Sequence, residues 1–174
     1  NITWIIMKIL DKSLKIAIQL FPLRYKNHKV KNSYHFSFLY KKGRLLAVGQ
    51  NNQDEFSAKE VYFSRKFNLK RRSEYPFSHS ETDAISRLWS KIHIDSSITL
   101  VNIRLNRDFS LKSSRPCDEC QIVLNSLDID NIYYTRSHLV WLYIKGILPH
   151  NTIDHINRNR EDDRPSNLRE IVNA

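Results

Sequence analysis

Residues 79–105, HSETDAISRLWSKIHIDSSITLVNIRL, change their hydrophobic rhythm once, and that change decides the architecture. From Thr82 to Ile92 the apolar positions Ala84, Ile85, Leu88, Trp89 and Ile92 fall on one face at helical spacing, so the stretch reads as a helix. From Ile98 to Leu105 the run ITLVNIRL is nearly continuous in apolar and β-branched residues, the pattern of a buried strand. Working outward, residues 34–40 (YHFSFLY) and 44–49 (RLLAVG) are two further strands joined by Lys41-Lys42-Gly43, a hairpin signal. After Pro116, the spacing of Cys120, Val123, Leu124 and Leu127 predicts a second helix, and 131–135 (NIYYT) a short strand. Residues 8–21 carry a helical stripe, and 50–77 read as a long polar loop with a helical turn near 57–66. Strand–helix–strand alternation without tight turns implies parallel crossovers, hence an α/β layered sheet with flanking helices over 8–136.

Composition narrows the function. The chain has 174 residues, 28 Lys and Arg against 18 Asp and Glu, and a formal charge of +10. That is one ordinary domain, or one with a small appendage, and the composition is globular. No apolar run spans a bilayer, so no membrane partner is expected. Residues 1–72 hold 16 basic and 4 acidic groups, whereas 73–136 hold 7 and 9 and 137–174 hold 5 and 5. The excess concentrates at Lys59, Arg65, Lys66, Lys70, Arg71 and Arg72, interleaved with Tyr62, Phe63 and Phe67. Such a patch attracts phosphates and its rings can stack bases; the competing reading is a solvated basic face with the rings packed inward. Two cysteines, Cys117 and Cys120, make no disulfide framework and point to a metal half-site or redox pair in a reducing, cytoplasmic compartment. The chain opens on Asn1, has Met7 as its sole Met and stops just beyond a helical pattern, which reads as a fragment.

His79-Ser80-Glu81 opens one helix and Pro116-Cys117-Asp118-Glu119-Cys120 the next. Two thiolates one turn apart and one imidazole supply three soft ligands for tetrahedral Zn²⁺ and leave a fourth position to water. Glu81, two residues past His79, can sit beside such a metal and carry protons without ligating it. The H-x-E…P-C-x-x-C order resembles the zinc-dependent cytidine/deoxycytidylate deaminase superfamily, and the element order over 34–135 matches that family's. The resemblance implies His79, Cys117 and Cys120 as zinc ligands and Glu81 as proton shuttle. It also implies substrate contacts by Asn51 (in Gly49-Gln50-Asn51), by Ser114 in the Ser113-Ser114-Arg115-Pro116-Cys117 turn, and by the backbone of Ser80, which stands where the family has Ala. The family's final helices and strand have no counterpart after Thr135.

The tail reads Ile153-Asp154-His155-Ile156-Asn157-Arg158-Asn159-Arg160, then Asp162-Asp163-Arg164-Pro165-Ser166-Asn167-Leu168-Arg169. Over 137–174 it resembles phage HNH homing-type endonucleases, which implies a small ββα-metal module and a phage or bacterial origin. Asp154 and Asn167 offer oxygen ligands to Mg²⁺ or Mn²⁺, His155 a general base, and Arg164 and Arg169 phosphate contacts. Arg169 can equally pair with Asp163 or Glu170. Asp163 stands where the family has Asn, and the family's His before Leu139-Val140-Trp141 falls on Ser137. The pattern from Pro165 to Val172 reads as a helix with Pro in its first turn, and 138–146 as a short aromatic helix or strand.

Three functions follow as expectations: hydrolytic deamination of a cytosine-type base in a nucleotide or single-stranded nucleic acid, metal-dependent DNA nicking by the tail, or nucleic-acid binding by a remnant without turnover. Homo-oligomers are left open.

Overall fold

The computed structural model describes residues 2–27, 33–70, 74, 76–135, 152–158 and 165–171. Two compact units divide the chain, one built from Tyr34–Asn102 and Pro116–Tyr133, the other from Asn1–Ser33, Ile103–Arg115 and Tyr134–Ala174.

In the unit that starts at Tyr34, β1 (Ser33–Lys41) and β2 (Arg44–Gln50) form the expected antiparallel hairpin, in register from Phe36↔Gln50 to Lys41↔Arg44. Lys42 and Gly43 turn at φ 49° and 75°, the left-handed pair whose twist matches a two-residue hairpin loop. In the next stretch β3 (Asn52–Phe56) and β4 (Phe77–Ser78) pair where loop was expected, and α2 (Ala58–Lys66) falls where the helical turn near 57–66 was expected. The reason is local. Ser57-Ala58-Lys59-Glu60 is a capping sequence, and Ser57 Oγ accepts from Glu60 N at 3.4 Å.

Helix α3 (Ser80–Leu88) starts two residues before, and ends four before, the bounds its stripe predicts. Strand β5 (Ile98–Asn106) lies beside β1 in the sheet order, followed by β6 (Leu111–Lys112). Helix α4 (Asp118–Ser126) then leads to β7 (Asn131–Tyr134), which pairs with β5. Side chains alternate along strands, so Leu39 of β1 and Ile98 and Leu100 of β5 share the core with Ala84, Ile85 and Leu88 of α3 and Val123 and Leu124 of α4. By the same alternation Ser37 lies two residues from Leu39, and Asn102 two from Leu100.

One position fixes the seat of α3. A Cβ on Gly49 would meet the Ser80 carbonyl oxygen at 2.0 Å and Ala84 N at 2.3 Å, so only glycine lets β2 and the first turn of α3 approach this closely.

In the other unit, α1 (Ile2–Asn27) buries Ile9, Leu10, Leu14, Ala17 and Phe21. It outruns the expected 8–21 at both ends; Ile2–Met7, apolar but for Thr3, shows no stripe to mark a start. Phe21 packs on Phe109 of the turn between β5 and β6 at 5.0 Å. Farther along, β8 (Thr152–His155) pairs antiparallel with β9 (Leu168–Ile171) across a 3-10 turn at Pro165–Asn167. The helix expected over 165–172 is therefore corrected to a turn and a strand. Leu168 is buried while Arg169 is exposed, a period-two alternation that suits a strand, and Pro165 starts a 3-10 turn as readily as a helix. The stretch 138–146 lies outside the described residues, as do Asp163, Arg164, Ser137, Arg71 and Arg72. Among the described residues no helix is long and apolar enough to cross a membrane.

Candidate metal centre and the C-terminal hairpin

His79 is the N-cap of α3 and Cys117 the N-cap of α4, each in extended backbone. Their helices bring together donors 38 residues apart. Cys117 Sγ and Cys120 Sγ each lie 3.6 Å from His79 Nδ1, and all three donor atoms fall within 4.8 Å of one another. A tetrahedral zinc, with Zn–S of about 2.3 Å and Zn–N of about 2.0 Å, sets its S···N edges near 3.6 Å, so the donor set fits. Cys120 is buried, His79 half-buried and Cys117 exposed. Hydrogen bonds from Cys120, then from His79, to the Cys117 sulfur outweigh the cost of burial and hold its thiol at about 2, far below an ordinary 9.0. The sulfur also accepts from Cys120 N at 3.5 Å, capping α4 with a thiolate at the positive end of the helix.

Glu81 is buried beside this cluster in sequence and tied by both oxygens. Asn102 Nδ2 donates to its Oε1 at 2.9 Å and Ser80 Oγ to its Oε2 at 3.1 Å. Ser37 Oγ completes the set, 2.7 Å from Asn102 Oδ1 and 2.8 Å from Ser80 Oγ. A second carboxylate, the buried Glu60 of α2, accepts from His79 N at 3.1 Å and from the Thr82 hydroxyl. It thus holds the N-cap residue of α3 by its backbone, while the His79 side chain makes no cap bond. These partners were missed in the sequence although each left a signal. Asn102 is the one amide in ITLVNIRL, Ser37 the one small polar residue in YHFSFLY, and Glu60 the fourth residue of the capping sequence.

Two further expected site residues bond backbone groups. Asn51 follows β2, where its Oδ1 accepts from His35 N at 2.9 Å. Ser114 belongs to the other unit: its hydroxyl accepts from Thr135 N at 2.8 Å and its own N donates to Thr135 O at 3.0 Å.

In the hairpin, Asp154 faces Arg169 across β8 and β9. Arg169 Nε and Nη2 both donate to Asp154 Oδ2, at 3.0 and 2.7 Å, so Arg169 pairs with Asp154. Asn167 is buried and locked to Asn157: its Oδ1 accepts from Asn157 N and its Nδ2 donates to Asn157 Oδ1, both at 2.9 Å. By donor type these oxygens suit a hard cation, and Asp154 Oδ2 is here held by Arg169 and Asn167 Oδ1 by Asn157 N. His155 ends β8, and its side chain lies outside the described residues.

Comparison with known proteins bears on this hairpin. Residues 134–173 match the family model described as HNH endonuclease. No curated protein matches the chain. No solved structure matches it either. The match supports an HNH endonuclease module in the tail.

Proposed function

We propose that the chain joins a zinc-dependent deaminase centre, acting on a cytosine-type base, to the HNH module. The observation that carries the first half is the convergence of His79, Cys117 and Cys120 at 3.6 Å spacings, with Glu81 buried on the first turn of the same helix. Zinc bound by these three residues supplies Lewis acidity and brings the pKa of a bound water to about 7. Glu81 takes one proton from the attacking water and passes it to the ring nitrogen, then takes the second from the hydroxyl of the adduct and passes it to the departing amine. Water adds at the amino-bearing carbon and ammonia leaves. Asn102 and Ser80 hold the Glu81 carboxylate for that transfer, and Asn51 meets the sugar. The test is paired. Cys117→Ser should lose zinc by metal analysis, since three protein ligands are the minimum for such a site. Glu81→Gln should keep zinc and lose about 10²–10⁴-fold of ammonia release. Stoichiometric zinc in the first variant, or parent turnover in the second, rejects the centre.

The family match favours a second activity, DNA nicking by the tail. In it His155 is the base, Asp154 and Asn167 the candidate ligands for Mg²⁺ or Mn²⁺, and Arg164 and Arg169 the phosphate contacts. Asp154 becomes available when Arg169 turns from it to a DNA phosphate.

A further inference from the structure

The outer face of α2 has two properties that a merely solvated helix does not need. Lys59, Tyr62 and Lys66 recur at i, i+3 and i+7 and form one exposed stripe, with the exposed Arg65 beside it. The helix's one acidic residue, Glu60, points the other way, into the start of α3. Among the described residues Lys59, Arg65 and Lys66 form no ion pair. Lys66 Nζ instead stands 5.0 Å over the Trp89 ring. The aromatics have separated: Phe63 is buried and stacks on Phe67, whereas Tyr62 remains 48% exposed and Phe56, just before the helix cap, 70% exposed. Both outward rings are braced from below, Tyr62 edge-on by Phe63 at 5.6 Å and Phe56 by Phe77 at 5.3 Å. Exposed cations between braced, outward rings match what a single strand presents, a regular line of phosphates with unpaired bases that can stack.

We infer that the α2 face, Phe56, Lys59, Tyr62, Arg65 and Lys66, binds single-stranded nucleic acid. A duplex offers the same phosphates but hides its base faces, so it would leave both rings without a function. The helix is one hydrogen bond from a zinc donor, through Glu60 to His79 N, so a strand held here runs beside the candidate centre. The inference deepens the deamination reading by making a polynucleotide the form of its substrate, and rests on that reading to that extent only.

The test measures binding of fluorescein-labelled oligo-dT of twelve nucleotides to the whole chain by anisotropy, from 50 to 200 mM salt, with oligo-U and a duplex of equal length as comparisons. Three neutralised phosphates give a log–log salt slope near −2, about twentyfold weaker binding across that range. Lys59→Gln with Arg65→Gln and Lys66→Gln should flatten the slope. Tyr62→Ala should cost about tenfold for oligo-dT and little for duplex, whereas Tyr62→Phe should restore it. Comparable oligo-U binding supports a single-strand surface without sugar preference. A triple variant with the parent slope overturns the inference. So does duplex binding as tight as oligo-dT, or Tyr62→Ala with parent affinity; the Tyr62 pair decides if the triple variant melts. Ammonia release from a free cytosine nucleotide tests the zinc chemistry separately, so each can fail while the other stands.

Discussion

At the scale of single residues, the candidate centre depends on what holds its donors in state and direction. Cys117 is the clearest case, because its sulfur is capped by Cys120 and faced by His79 while remaining exposed. With its thiol held at about 2, the thiolate persists through the whole neutral range. In metal-stripped protein, alkylation of Cys117 by iodoacetamide should therefore keep a nearly constant rate from pH 8 down to pH 5. An ordinary thiol slows about tenfold per pH unit over that range. A peptide-mapped rate that falls tenfold per unit would show that the helix and its neighbours do not hold the thiolate. The convergence of His79, Cys117 and Cys120 was legible from residue type and spacing. The supports of His79 and Glu81 were not, because Glu60 and Asn102 act from 19 and 21 residues away along the chain, and only the packing of α2 and β5 against α3 brings them near.

Among the elements, α3 carries the argument, since it presents His79, Ser80 and Glu81 and rests on β2 through Gly49. Alanine at position 49 puts a methyl into backbone atoms at 2.0 and 2.3 Å, which no side-chain rotation relieves. Overpacking typically costs about 1–3 kcal/mol, and a clash with backbone belongs at the upper end. For a chain of this size that lowers the melting temperature by roughly 6–12 °C. Gly49→Ala should also reduce zinc retention, because the helix that moves bears a ligand. A parent-like thermal midpoint would mean that α3 sits farther from β2. Elements with a clear period were readable: the β1–β2 hairpin, β5 and α4 lie within a residue or two of expectation. The tail hairpin was not, because four residues such as Leu168–Ile171 satisfy a helical and a two-residue period equally. Pairing with β8 decides between them.

Across the whole molecule, two chemistries are proposed for different stretches of chain, and they should be separable. His155→Ala should stop nicking of supercoiled DNA and leave zinc content and ammonia release at parent level, while Glu81→Gln should do the reverse. Nicking that survives His155→Ala refutes the base assignment; loss of both activities in either variant would show that the two halves act as one. The distance along the chain between His79 and Cys117 has a kinetic consequence as well. An ion gripped by both closes a loop of about 40 residues, a cross-link worth roughly 4 kcal/mol in the chain-entropy account. Closure of so long a loop comes after local events such as the β1–β2 hairpin, so it adds little to the folding rate. Its weight would fall on the reverse process: a loaded protein would unfold slowly, the ion acting as a brake.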